Sequence, residues 1–135
     1  GGYIKETKKS PKKLKISYMH YVIGDDEIWI GKNNIQNDKL TFSARPSDLW
    51  LHTKDYHSAH VIIPCGSSHI PDEILQLAAE ICAYYSEAKN GDKVPVDYTQ
   101  RKYVKKPPKS KYGAVIYTDF KTVYVTPNAH KNLEK

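Results

Sequence analysis

Three histidines and a cysteine offer the first residues in this sequence that could do chemistry. His52, His57 and His60 form H-x4-H-x2-H, and Cys65 follows five residues later. These are zinc-ligand types, but their spacing matches no standard zinc pattern. His52 and His60 are also expected on different strands, so no metal is expected; the plainer reading has His52 hydrogen-bonded in a sheet and His57 on a loop. Nucleophilic catalysis finds no better footing. Cys65-Gly66-Ser67-Ser68-His69 is the nearest approach to G-x-S-x-G and lacks its geometry. The carboxylate pairs Asp25-Asp26 and Asp72-Glu73 have simpler duties at a turn and a helix start, and no GxxxxGK[ST] phosphate loop is present. No enzyme and no cofactor are expected. The competing enzymatic reading is a nucleic-acid-processing site built from Asp48, His52 and His60.

Binding chemistry is better supported. The net charge of +6 is unevenly spread. Residues 1–15 carry six lysines against Glu6, residues 101–111 carry six basic residues and no acid, and residues 16–100 sum to −6. Two concentrated basic blocks suit a polyanionic partner better than they suit mere solubility. Eleven tyrosines against two phenylalanines favour rings with a hydrogen-bonding tip. Tyr98 and Tyr103 frame Arg101-Lys102, and Tyr112 follows Lys111. Cations interleaved with rings suit RNA, where they meet phosphates and unpaired bases respectively.

The elements that must position these residues read as follows. Residues 5–15 have the composition of a basic arm, with Pro11 forbidding a continuous helix. Tyr18–Ile23 and Glu27–Gly31 flank a Gly-Asp turn and predict a hairpin. Asn33 or Asn34 would cap a short helix running to about Ala44, ended by Arg45-Pro46. Leu49–Thr53 and His60–Ile63 read as strands, with Trp50 in the core. Asp72–Lys89 is the long helix: Pro71 starts it, Asn90-Gly91 stops it, and Ile74, Ala78, Ile81, Tyr85 and Ala88 line its apolar face. Strands are expected over Gln100–Val104, Ala114–Thr118 and Thr122–Thr126, the last two as a hairpin around Asp119–Lys121. Lys102–Lys111 should be an exposed loop. The expected class is α+β: a mixed, mainly antiparallel sheet of about six strands, with one long and one shorter helix packed on one face. No stretch nears the ~20 apolar residues of a membrane span. Unpaired Cys65 and Cys82, and a start without a secretory pattern, favour the cytoplasm.

From Gly31-Lys32-Asn33-Asn34-Ile35-Gln36-Asn37-Asp38 onward the sequence resembles the NFACT-R family, the C-terminal RNA-binding domain of RqcH-type ribosome quality-control factors, also labelled fibronectin- or fibrinogen-binding proteins. The resemblance continues through Asp48–His52, His60–Ile63, Ala83–Lys89, Val94–Thr99, Val104–Pro107 and Val123–Pro127, covering about residues 18–128. Two departures stand out. Tyr56-His57-Ser58-Ala59-His60 replaces a Pro-Gly-Ser-His type of turn, and Lys32 replaces the usual arginine, keeping charge but losing bidentate phosphate recognition.

The resemblance implies a basic linker over 1–16, an RNA-binding domain over 17–128 and a tail over 129–135. It implies tRNA and the obstructed large ribosomal subunit as partners, in support of C-terminal alanine tailing. NFACT-N and helical hairpin regions would lie elsewhere in the full-length protein. Lys32, Asn33, Asn34, Asn37, Arg101, Lys102, Lys105, Lys106, Lys109 and Lys111 are the expected RNA-binding residues, with His52, His57, Tyr98 and Tyr103 as further candidate contacts. The asparagines have a competing duty in capping a helix and bracing a turn. The competing function is an extracellular-matrix adhesin module.

Overall fold

A computed structural model describes residues 18–131, so the basic arm expected over 1–16 and residues 132–135 of the expected tail lie outside the described residues. Strand β1 (Met19–Ile23) turns into β2 (Asp26–Ile30), with Ile23 opposite Asp26. Gly24 takes φ 62° there, a conformation tight hairpin turns require and glycine adopts without cost. Helix α1 (Asn34–Ser43) is capped by Asn33. There follow β3 (Leu49–Thr53), β4 (Val61–Ile63), helix α2 (Asp72–Tyr84) and β5 (Val94–Gln100). A 3-10 turn (Arg101–Tyr103) leads into β6 (Val104–Lys105), β7 (Ile116–Tyr117) and β8 (Lys121–Val125).

Among the described residues, six strands make one sheet in the order β1-β2-β4-β3-β5-β8, antiparallel at every neighbouring pair, while β6 and β7 form a separate ribbon. The expected α+β sheet of about six strands with two helices is therefore present. No described helix is long and apolar enough to cross a membrane.

The helices lie on opposite faces, not on one. In β3, Trp50 and Leu51 are both 0% exposed, although neighbouring side chains on a strand point to opposite faces. Leu51 packs with Ile74, Ala78 and Ile81 of α2; Trp50 packs with Leu40 of α1 and with Val104 and Tyr117 of the ribbon. A strand buried on both sides needs a layer on each.

Three boundaries also differ from expectation. α2 stops at Tyr84, because the next residues turn to meet the 57–59 loop: Ala59 N donates to Tyr85 O and Glu87 N to His57 O, each at 2.9 Å. The strand expected over Gln100–Val104 instead ends at Gln100 and begins at Val94. Residues 116–117 and 121–125 do not pair as a hairpin, since one joins the ribbon and the other the main sheet. Beyond β8, Asn128 N donates to Glu80 O, and Tyr21 Oη donates to Ala129 O at 2.5 Å. His130 Nε2 lies 2.6 Å from Glu80 Oε1.

Candidate nucleic-acid interface

The eight residues from Gly31 to Asp38 divide into scaffold and surface. Gly31 lets β2 and α1 meet: a Cβ there would fall 2.2 Å from Asn37 Oδ1. Asn37 is buried, and its Oδ1 accepts from His60 N at 3.0 Å, tying the helix to the strand behind it. Asn33 Oδ1 accepts from Gln36 N, and Gln36 Oε1 from Lys32 N, both at 2.9 Å. Asp38 Oδ1 accepts from Gly113 N at 3.2 Å and pairs with Lys106 Nζ at 2.8 Å. That accounting leaves the side chains of Lys32 and Asn34 exposed on the surface. The first turn of α1 carries no acidic residue, whereas α2 begins Asp72-Glu73. The positive end of the α1 dipole is thus uncompensated by its own sequence.

The basic segment is ordered, where the sequence suggested only an exposed loop. Arg101 Nε donates to Thr41 O at 3.0 Å, and its guanidinium lies 4.8 Å from the centre of the Phe42 ring. Lys102 N donates to Pro46 O, and its ammonium sits 5.3 Å from the Tyr103 ring centre. Lys106 turns inward: besides Asp38, its Nζ donates to Lys111 O and Ala114 O. With Lys106 spent on the loop itself, Lys102, Lys105, Lys109 and Lys111 remain exposed, beside Tyr112 at 55% exposure.

Gly113 latches this loop to α1. Its φ is 84°, and a Cβ there would meet Asn34 Oδ1 at 3.0 Å. Its N–H bonds to Asp38, and its carbonyl accepts from His60. Thr41 ties the ring into the layer: Trp50 Nε1 donates to Thr41 Oγ1 at 3.2 Å, and that hydroxyl lies 2.8 Å from His60 Nδ1. Burial, followed by the nearby His52, lowers its pKa to about 3, and the ring stays neutral.

The remaining candidates are dispersed. His52 stacks parallel to Trp50 at 5.7 Å and meets His60 edge-on at 5.3 Å. Its Nδ1 is buried and has no geometric hydrogen-bond partner among the described residues, and burial lowers its pKa. Alongside, Asp97 is 1% exposed and accepts from Tyr117 Oη at 2.5 Å and Thr122 Oγ1 at 2.6 Å, with Lys54 Nζ at 3.3 Å. This network holds β5, β7 and β8 together. Tyr98 is half-buried on the α2 side of the sheet. Tyr103 is half-buried in the 3-10 turn, and His57 is exposed in the loop that meets residues 85–87. Burial pushes the Cys82 thiol up to about 12, which leaves it protonated at neutral pH. Among the described residues, no group of three or more His, Cys, Asp or Glu side chains could hold a metal ion.

The structure thus brings Asn34 against Gly113 of the lysine-rich loop, leaves Lys32 exposed two residues before Asn34, and gives Asn33, Asn37 and Lys106 scaffold duties. Sequence reasoning missed the latch of Asp38 and Gly113. Its only local signal was a glycine closing a lysine-rich loop.

A family profile described as the NFACT protein RNA binding domain matches residues 16–119. The Rqc2 homolog RqcH of Bacillus subtilis (strain 168) is 48% identical over 103 residues, 76% of this chain and 18% of the relative. The Rqc2 homolog RqcH of Streptococcus suis (strain 05ZYH33) is 38% identical over 133 residues, 96% of this chain and 24% of the relative. The chain thus spans a quarter or less of the curated relatives' length. Among solved structures, the C-terminal of the fibronectin/fibrinogen-binding protein from Streptococcus suis superposes with a TM-score of 0.83 at 37% identity, covering 90% of this chain and 50% of that one.

Proposed function

We propose an RNA-docking role from one premise: this chain belongs to the NFACT RNA-binding domain family. In this reading the domain is a binding module and not an enzyme. It works in the cytoplasm as part of a longer ribosome quality-control factor that includes NFACT-N and helical hairpin regions. It contacts tRNA or ribosomal RNA of obstructed large subunits, in support of alanine tailing. The observation that carries the reading is the latched basic loop. Lys106 and Gly113 fix the loop beside the start of α1, with Gly113 against Asn34, so that Lys105, Lys109, Lys111 and Tyr112 stand exposed on a loop anchored to that helix. A preformed cationic ridge loses little entropy when phosphates dock on it.

The test is a salt titration of binding to tRNA and to large ribosomal subunits, for the parent and for a Lys105→Ala/Lys109→Ala/Lys111→Ala variant. Lys106 is spared because it holds the loop. We expect a steep loss of affinity with salt, and a slope shallower by about 2 in the variant. A folded parent that binds neither RNA at low salt overturns the reading.

One observation supports a second reading, as an adhesin. Strand β8 pairs with β5 alone among the described residues, and its Tyr124 is 66% exposed. An edge strand of this kind can take up an extended peptide, and the Streptococcus suis structure belongs to a fibronectin/fibrinogen-binding protein. Fibronectin binding that persists at moderate salt and disappears on a Tyr124→Pro change would favour it.

A further inference from the structure

A cleft of about 550 Å³ opens between the start of α1 and the segment that follows α2. Its apolar wall comes from Met19, Ile30 and Tyr84; Lys32, Asn33, His57 and Lys89 stand among its lining residues. The floor is preformed. Residues 57–59 and 85–87 are pinned together by Ala59 N to Tyr85 O, by Glu87 N to His57 O, and by an isolated bridge between Ser58 and Ser86. Glu87, a carboxylate in the lining, accepts from His57 N at 3.3 Å and is thereby engaged in the floor. Lys89 Nζ lies 4.4 Å from the Tyr84 ring centre, which draws a cation onto the apolar wall.

We propose that this cleft receives one unpaired nucleotide of the RNA strand that docks on the basic loop. The inference rests on the RNA reading above and specifies the class of RNA. The base enters against Met19, Ile30 and Tyr84, while its phosphate meets the Lys32 and Lys89 ammonium groups. The side-chain NH2 of Asn33 makes no described hydrogen bond, since only its Oδ1 serves the cap, so it can donate to the sugar or the base edge. The volume lies within the range of small-molecule sites. A duplex cannot enter, because its bases are stacked inside and it presents only a convex backbone. The cleft is also continuous with the proposed docking surface. Lys32 and Asn33 line it on one side of the α1 start, and Asn34 meets Gly113 of the loop on the other. The charge block of residues 1–15 is an unsuitable occupant, because its six lysines would be repelled by Lys32 and Lys89.

The experiment compares a fluorescein-labelled single-stranded octanucleotide of mixed sequence with a blunt duplex of the same sequence, both on the full 135-residue chain. It is read by anisotropy and by amide chemical shifts. We expect the single strand to bind about fivefold to tenfold more tightly, with shifts at Gly31, Ser58 and Ala59. Met19→Trp fills the cleft without changing charge and Lys89→Ala removes its cation; each should bring the ratio of the two affinities close to one. Equal affinities in the parent, or shifts confined to residues 105–113, overturn the cleft while leaving the RNA reading standing. Shifts at the cleft on deleting residues 1–15, with none on adding RNA, overturn it by showing the cleft already filled. A folded protein that binds neither RNA overturns both readings.

Discussion

The two faces of the sheet are built by different rules. The α2 face is mainly aliphatic: Leu51, Val61, Ile63, Val96 and Val125 pack against Ile74, Ala78 and Ile81, with hydrogen bonds of Tyr21 and Ser58 at its margins. The α1 face is aromatic and hydrogen-bonded: Trp50, His52, His60, Asp97 and Tyr117 form linked contacts that reach Thr41 and Gly113. Apolar burial is non-directional and holds elements together; a hydrogen-bonded layer fixes where they sit. The first face keeps the fold. The second registers the basic loop against the start of α1, where the proposed docking surface lies.

Ile81→Ala should cut deepest. Its side chain is 0% exposed and central to the aliphatic face, so about 3 kcal/mol of stability should be lost in urea unfolding, with loop and core probes moving together. Separate loop and core transitions in this variant would break the picture of one cooperative fold.

A milder cut comes from acid. Folded His60 stays neutral down to about pH 3, whereas an ordinary histidine protonates near 6.5. Between those values the unfolded chain holds the extra proton, so stability is complete above about pH 6.5 and is lost as the pH falls, by up to about 1.4 kcal/mol per unit. The lowered pKa of His52 acts in the same direction. Urea midpoints at about pH 7.5 and about pH 5.5 should therefore differ, ahead of the range where ordinary carboxylates titrate. A His60 ring signal that titrates near its usual value would contradict the buried neutral ring.

Lys106→Ala is the finest cut. The ion pair with Asp38 is partly exposed, so global stability should change by less than about 1 kcal/mol. Amide exchange at Gly113 and Ala114 should nevertheless rise while Ile81 and Cys82 stay protected. Unchanged loop exchange would remove the role assigned to Lys106.

Local signals were legible in the sequence and remote ones were not. Asn33 as a cap, the Gly24 turn and the start of α2 at Asp72 each depend on neighbours within a few residues. The end of α2 does not, because the pull on Tyr85 comes from Ala59. Strand β5 was misplaced because Pro95 argues against a strand, while its real partners, β3 and β8, lie far away in the chain. The docking surface was legible as charge and illegible as geometry. The bonds Gly113–Asp38 and Arg101–Thr41 close over 75 and 60 residues, beyond any local pattern. Lys106 and Lys109 look alike in sequence, yet one faces Asp38 and the other faces solvent.

The bond from Tyr21 to Ala129 spans 108 residues and joins the first described strand to the segment beyond the last described one. Synthesis delivers these partners at opposite times. The β1–β2 hairpin can form early, but Tyr21 must wait for nearly the entire domain before it meets Ala129. Pairing so remote slows folding and postpones cooperativity until late in elongation. A nascent chain stopped a few residues short of Ala129 would lack this bond, and should be more open to proteolysis than the finished domain.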